Sequence, residues 1–261
     1  MSDFRYVDVE KRDRISIVSL DRAEALNAIS GAMAEELTSA FRAAATDVDV
    51  WVVLLRANGS KSFCVGADLK ERRDFSIDDF RANRKQVRGM FESLRAVPQP
   101  VIVAPFGFAL GGGMELVLSA DIVVAAQGTV FGLPEARVGM LPAGGATQLL
   151  PRKVGLGRAK DLIFRGSRFG TDEAVAMGLV NHVAPVDQLD RRALELADEV
   201  CGSSPVAVRA AKRAIDSTFG LAIEEGVLVE HDEWRLVIES EDRSEGIGAF
   251  NEGRPPVWKN R

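Results

Sequence analysis

Two short alternating segments open the chain. Tyr6 to Glu10 and Ile15 to Leu20 alternate apolar and polar positions around Lys11-Arg12-Asp13-Arg14, which predicts a β-hairpin. After a loop over Asp21 to Asn27, Met33, Leu37, Ala40, Phe41 and Ala44 recur at helical spacing. Ser30 stands where an N-cap belongs, so a helix is expected from there to about Ala45. Trp51 to Leu55 is apolar throughout, the mark of a strand covered on both faces. Asn58-Gly59-Ser60 reads as a turn, and Phe63 to Val65 as a second strand ending at Gly66-Ala67-Asp68. Ser76 and Asp79 resemble a capping box for a long helix to about Val97. Phe80, Val87, Phe91 and Leu94 supply its buried face, and the other face is rich in Arg and Lys. Pro98 and Pro100 stop that helix and launch a strand over Val101 to Ala104.

Strands and helices then alternate. A helical run from Met114 to Ala120 follows Gly111-Gly112-Gly113. Strands are expected at Ile122 to Ala126 and Thr129 to Phe131, and helices near Thr147 to Val154 and Arg158 to Arg165. Thr171 reads as the cap of a helix that Gly178 ends, and Leu179 to Val183 as the last strand. No repeat period is legible, and the alternation points to an α/β fold. From Leu189 the pattern is helical: Leu189 to Cys201, Val206 to Ser217 behind Ser204 and a Pro205 at N1, Leu221 to about Glu239, and Arg243 to Phe250. That shift divides the chain into a core, 1–195, and a helical segment, 196–261.

Composition narrows the classes. A chain of 261 residues buries one large core, or one core with a small appendage. Its net charge of −5, from 33 basic and 38 acidic residues, gives no global attraction to nucleic acid or an anionic membrane. The longest apolar runs are too short to span a bilayer. Met1-Ser2-Asp3-Phe4-Arg5 carries an acid and no apolar run of a secretory signal, so a cytoplasmic protein is expected. Cys64 and Cys201 are far apart, and neither His182 nor His231 has ligand spacing, so no structural metal is expected.

The candidate chemistry lies between Phe106 and Met140. Three consecutive glycines lead into a helix whose first N–H groups attract negative charge. Such a turn suits an oxygen that is, or becomes, an anion. Glu115 follows inside an otherwise apolar run, Met114, Leu116, Val117 and Leu118, and Glu135 follows 20 residues later behind Leu133-Pro134. Acids in an apolar wall gain the raised proton affinity that acid–base work near neutral pH requires. The glycines lack the Gly-x-Gly-x-x-Gly spacing of a nicotinamide site, and Gly-x-Ser-x-Gly is absent.

Ala109 to Glu115, Asp121-Ile122, Phe131-Gly132-Leu133-Pro134-Glu135 and, upstream, Phe63-Cys64-Val65-Gly66-Ala67-Asp68-Leu69-Lys70 together resemble the signature of the enoyl-CoA hydratase/isomerase, or crotonase, family. The likeness runs from Leu20-Asp21-Arg22 to Arg254-Pro255-Pro256. It implies a spiral of β-β-α turns, with a C-terminal helical segment that builds homotrimers, often paired as hexamers. The implied substrate is an acyl-CoA thioester. Coenzyme A arrives on the substrate, and no separate cofactor is implied.

The resemblance also implies roles. The N–H groups of Ala67 and Gly112 surround the thioester oxygen. Glu115 and Glu135 hold a water between them, one as base and one as acid. Having both acids favours a hydratase over an isomerase or another acyl-CoA lyase. Arg22, Lys61 and Lys70 match positions that reach the coenzyme A phosphates, and Ala23, Ala25, Asp68 and Leu69 positions along pantetheine and adenine. Leu110 and Pro134 wall the acyl pocket, and Phe63, Gly66 and Gly111 belong to the same substrate-binding segments. Ala143 replaces a common Gly near the water, and Gly253 a Lys that reaches a neighbour's coenzyme A. Cys64 to Arg72 and Gly220 to Glu225 are similar to the methylglutaconyl-CoA hydratase branch, one type of which binds RNA through a lysine-studded first helix. Here Arg42 is the only base on the Ser30–Ala45 helix, so RNA binding is not expected.

Overall fold

The structure, a computed structural model, describes residues 4–261. The reading made at Met1-Ser2-Asp3 lies outside the described residues.

The hairpin forms as expected: β1 (Val7–Arg12) pairs antiparallel with β2 (Ile15–Leu20). Ser30 accepts the Met33 N–H and caps α1 (Gly31–Thr46). β3 (Val52–Ala57) then lies parallel to β2. Its side chains alternate between two cores. Val53 and Leu55 join the larger cluster under α1, with Met33, Leu37 and Phe41. Val52 and Leu54 face the smaller one. That double burial explains why no polar position interrupts the strand.

The capping box at Ser76 and Asp79 opens α2 (Ile77–Arg95), and β4 (Val101–Val103) extends the sheet beside β3. The glycine turn does not follow β4 directly. The chain first crosses to a second sheet through β5 (Phe108–Leu110). Next come α3 (Gly112–Ser119), β6 (Ile122–Ala126) beside β4, and β7 (Val130–Gly132) beside β5. This β-β-α step repeats through α4 (Ala146–Val154), α5 (Leu156–Arg165), β8 (Arg168–Gly170), α6 (Thr171–Ala176) and β9 (His182–Ala184). The strand orders are β1-β2-β3-β4-β6-β9 and β5-β7-β8.

Three expectations need correction. Phe63 to Val65 is no strand: only Cys64 makes an isolated bridge, to Ala109. The neighbouring Gly66 and Gly107 adopt positive φ, so the ladder cannot extend. Thr171 does not cap α6, since Gly170 holds that position and the Thr171 hydroxyl donates to Ala126 O and Thr129 O. The final strand starts at His182, not Leu179, because Leu179 and Val180 pack into the larger core.

α7 (Leu189–Cys201) has the predicted bounds. It buries Leu189, Ala193, Leu196 and Ala197 against the face of the sheet that carries Val52 and Leu54. Position 195 therefore falls inside a helix of the core. Three more helices follow, α8 (Pro205–Thr218), α9 (Ile223–Ile238) and α10 (Glu241–Glu252). α9 has no buried residue, and Ile223, Val227, Leu228 and Trp234 are exposed along it. No helix among the described residues is long and apolar enough to cross a membrane.

Candidate active site

The three glycines have separate duties. Gly111 sits at φ 53° and ψ −123°, which bends the chain from β5 into α3. Gly113 faces the Cys64 carbonyl, whose oxygen would lie 2.2 Å from any Cβ placed there. The close approach is therefore made by the protein's own backbone. It brings segment 64–68 against the start of α3.

That packing brings two peptide N–H groups to one cavity. The Ile29 N–H donates to Gly66 O at 2.8 Å, and the Asp68 N–H to Ile29 O at 3.0 Å. In extended chain, successive peptide groups point to opposite sides, so the Ala67 N–H between them points away from Ile29. Gly112 is the first residue of α3, and its N–H is one of the donors a helix start leaves free. Among the described residues neither N–H has an acceptor, and both residues line the same cavity, of about 230 Å³.

Glu115 and Glu135 reach that cavity from two elements. Glu115, on α3, is only 4% exposed. Its Oε1 accepts the Gly144 N–H at 2.6 Å and the Ala146 N–H at 3.1 Å. Burial raises its proton affinity, and these backbone donors oppose that effect in part. Glu135 opens a short 3-10 turn (Glu135–Val138) behind Pro134. Burial, with the Glu115 charge adding to it, pushes its carboxyl up to about 7. Its Oε2 is buried without a hydrogen-bond partner. The two acids thus sit in unlike settings: Glu115 Oε1 accepts two N–H groups from the 144–146 loop, whereas Glu135 has only its own N–H nearby and its Oε2 accepts nothing.

Gly66, Leu69, Gly111, Pro134 and Ala143 line the same cavity. Leu110, expected to wall the acyl pocket, is buried and does not line it, and Phe63 is fully buried in the larger core and does not line it either. Ala23 and Lys61 line a second cavity beside Asn58 to Ser62, also of about 230 Å³. Asn27 frames that cavity by donating to Asn58 O and Ser62 O. Arg22 is engaged elsewhere: its Nη1 donates to Asp68 Oδ2 at 2.6 Å and to Ala28 O at 3.0 Å. Asp68 also accepts the Lys70 and Glu71 N–H groups. Burial works against ionisation of Asp68, but the Arg22 guanidinium and these N–H groups hold its carboxyl below the usual range. Arg22 and Asp68 therefore staple the loop that presents Ala67. Ala25 lines neither cavity, and Lys70 is exposed at the edge of that loop. Among the described residues no cluster of His, Cys, Asp and Glu could hold a metal ion.

Sequence reasoning passed over the arginines. Arg72, Arg84 and Arg137 line the cavity. Arg84 Nη2 donates to Ala143 O at 2.6 Å, and Arg95 Nη1 to Gly144 O at 2.7 Å. The basic face of α2 was the available signal, since Arg84, Phe91 and Arg95 fall on one helical stripe.

A buried acid, a half-buried acid and two peptide N–H groups thus line one cavity, at the start of a helix in a β-β-α spiral. Residues 10–261 match the family described as enoyl-CoA hydratase/isomerase, and the chain belongs to that family. It is 41% identical over 248 residues to human enoyl-CoA hydratase domain-containing protein 2, mitochondrial, covering 94% of this chain and 85% of that protein. Human mitochondrial methylglutaconyl-CoA hydratase is 37% identical over 259 residues, covering 98% and 76%. The crystal structure of an enoyl-CoA hydratase from Bacillus anthracis superposes with a TM-score of 0.96 at 38% identity, covering 98% of this chain and 100% of that one. The fold is the crotonase fold, and the protein is an enzyme acting on coenzyme A thioesters.

Proposed function

We propose that the enzyme is an enoyl-CoA hydratase, which adds water across the 2,3 double bond of a trans-2-enoyl-CoA to give the 3-hydroxyacyl-CoA. One observation carries this reading: a buried acid, Glu115, and a half-buried one, Glu135, stand in unlike settings and line one cavity. Two N–H groups on Glu115 Oε1 favour its ionised form, so Glu115 is the base. Glu135, with an unpartnered oxygen and a carboxyl raised to about 7, is the acid. Glu115 takes a proton from water as the water oxygen bonds to C3. The electron pair of the double bond moves onto the thioester oxygen, where the N–H groups of Ala67 and Gly112 meet it. One such donor is worth about 10²–10³ in rate. Glu135 then gives its proton to C2. The acids end with the proton on Glu115, and exchange with solvent restores the starting state. Coenzyme A enters on the substrate, and the chemistry calls on no resident cofactor.

Ala23 and Lys61, at the second cavity, are assigned to the coenzyme A moiety, and Leu69, Pro134 and Ala143 to the acyl group. Arg72, Arg84 and Arg137 have no carboxylate within 4.0 Å among the described residues. That favours an acyl group with a carboxylate at its far end, as in the substrate named for the methylglutaconyl-CoA hydratase relative. The exposed apolar residues of α9 suit a trimer or a dimer of trimers.

The test is steady-state hydration of crotonyl-, long-chain enoyl- and 3-methylglutaconyl-CoA by the parent, Glu115→Gln and Glu135→Gln. Each substitution is expected to lower kcat at least about a hundredfold. The double variant loses much less than the product of the two, because both acids serve one water. Single variants that hydrate within about threefold of the parent would make the acids structural, well short of what a general acid or base contributes. Double-bond migration without hydration in the parent would make the enzyme an isomerase.

A further inference from the structure

Two arginines of α2 donate to carbonyls of the same loop whose N–H groups meet Glu115. The Gly144 N–H that meets Glu115 Oε1 at 2.6 Å belongs to the peptide group whose carbonyl is Ala143 O. Arg84 Nη2 donates to that same oxygen at 2.6 Å. The next peptide repeats the arrangement: Arg95 Nη1 donates to Gly144 O at 2.7 Å, and the Gly145 N–H of that peptide also faces the Glu115 carboxylate. A cation on a peptide oxygen draws electron density from the nitrogen and makes its N–H a stronger donor, as in any polarised hydrogen-bond chain. Each guanidinium is thus coupled through one peptide group to one oxygen-facing N–H.

We propose that Arg84 and Arg95 are positioning residues for Glu115, acting on it through the 143–144 and 144–145 peptide groups. The inference rests on the reading of Glu115 as the base. Neither arginine has a carboxylate within 4.0 Å among the described residues, so the two carbonyls are their anchors. Arg95 is the cleaner probe because it does not line the cavity, whereas Arg84 does. Space around the loop is also limiting. A Cβ at Gly144 would meet the Phe91 ring at 2.4 Å and Glu115 Oε2 at 2.7 Å, so the peptide that Arg95 holds is wedged between α2 and the acid. The charged groups facing Glu115 are Arg84 and Arg95 on α2 and Glu135 on its 3-10 turn. α4 contributes only the Ala146 N–H.

The functional consequence has a direction. Arg95→Met withdraws positive charge from the relay, so the ionised form of Glu115 becomes harder to reach. The acidic limb of the kcat/KM profile for enoyl-CoA hydration should move to higher pH by about one unit, the low end of what a neighbouring opposite charge does. The alkaline limb, which belongs to Glu135, should stay in place, so the bell narrows. Arg95→Lys keeps the charge and should recover part of the shift. Loss of packing alone would lower the whole bell without moving either limb. An infrared titration of the carboxylate band that Glu115→Gln removes reads the same quantity without turnover. It therefore separates failure of this inference from failure of the hydratase reading. A Glu115 band that titrates higher in Arg95→Met and moves back in Arg95→Lys supports the relay. A band that titrates identically in parent and Arg95→Met overturns it, whatever the activity.

Discussion

Gly113→Ala tests whether the close packing of segment 64–68 on α3 sets the two peptide donors. The new Cβ would start 2.2 Å from Cys64 O, 2.8 Å from Cys64 Cβ and 2.9 Å from Cys64 C. Ordinary contact begins near 3.4 Å, so the two segments must separate by about 1.2 Å. No side-chain rotation relieves this, because two of the three atoms are backbone. The Cys64 carbonyl is also fixed by the Leu110 N–H at 2.9 Å. Ala67 rides on one segment and Gly112 on the other, so a shift of that size takes one N–H out of the 2.7–3.1 Å window that a developing oxyanion needs. The expected loss in kcat/KM is about 10²–10³. Overpacking should cost about 1–3 kcal/mol of stability, partly offset by the roughly 1 kcal/mol that Ala gains over Gly in a helix. Circular dichroism melts establish that the variant is folded, and crotonyl-CoA hydration gives the rate. A folded Gly113→Ala enzyme with turnover near that of the parent would refute the argument, since it would mean the donors need no fixed separation.

Three further outcomes follow from the same geometry. Glu135→Gln should melt a few degrees higher than the parent at pH 8. The parent's raised carboxyl costs stability as pH climbs from 4.5 through about 7, and the gain should vanish below about pH 4.5; equal melting temperatures at pH 8 would count against that burial. Arg22→Met should cost about 1.5–3 kcal/mol at pH 7 by stranding Asp68, whose side chain is 8% exposed. Because the Asp68 carboxyl is held low, that cost should shrink as pH falls below about 4, and a pH-independent cost would mean the charge is not involved. Light scattering should give a multiple of three subunits, and Val227→Asp with Leu228→Asp should yield smaller species, since both residues are exposed on α9; a monomeric parent at micromolar concentration contradicts the trimer.

Much of the fold is written in local pattern. The hairpin, the Ser30 and Ser204 caps, the Ser76–Asp79 box and the bounds of α7 depend on residues a few positions apart, and sequence displays such relations directly. The same holds for the doubly buried β3. β5 and β8 escaped notice because glycines punctuate them, Gly107 and Gly111 around the first and Gly166 and Gly170 at the second, and such glycines read as turns. Phe63 illustrates the opposite error: an apolar residue in a binding motif faces the core, and only the packing tells which side of the loop it takes.

The sequence by itself determined the family pattern, the segments that carry the two acids and the small residues around the peptide donors. It did so because glycines, caps and alternation act over short spans of chain. Only the tertiary structure decided how those parts work together. It engages Arg22 with Asp68, 46 positions away, so that the arginine holds the loop presenting Ala67. It sets the Cys64 carbonyl against Gly113, and it brings Arg95 to a carbonyl 49 positions along the chain. Proton affinity followed the same rule. The residue type gives both acids one starting value, and the unlike settings of Glu115 and Glu135 come from which peptide groups reach each carboxylate once the spiral has closed.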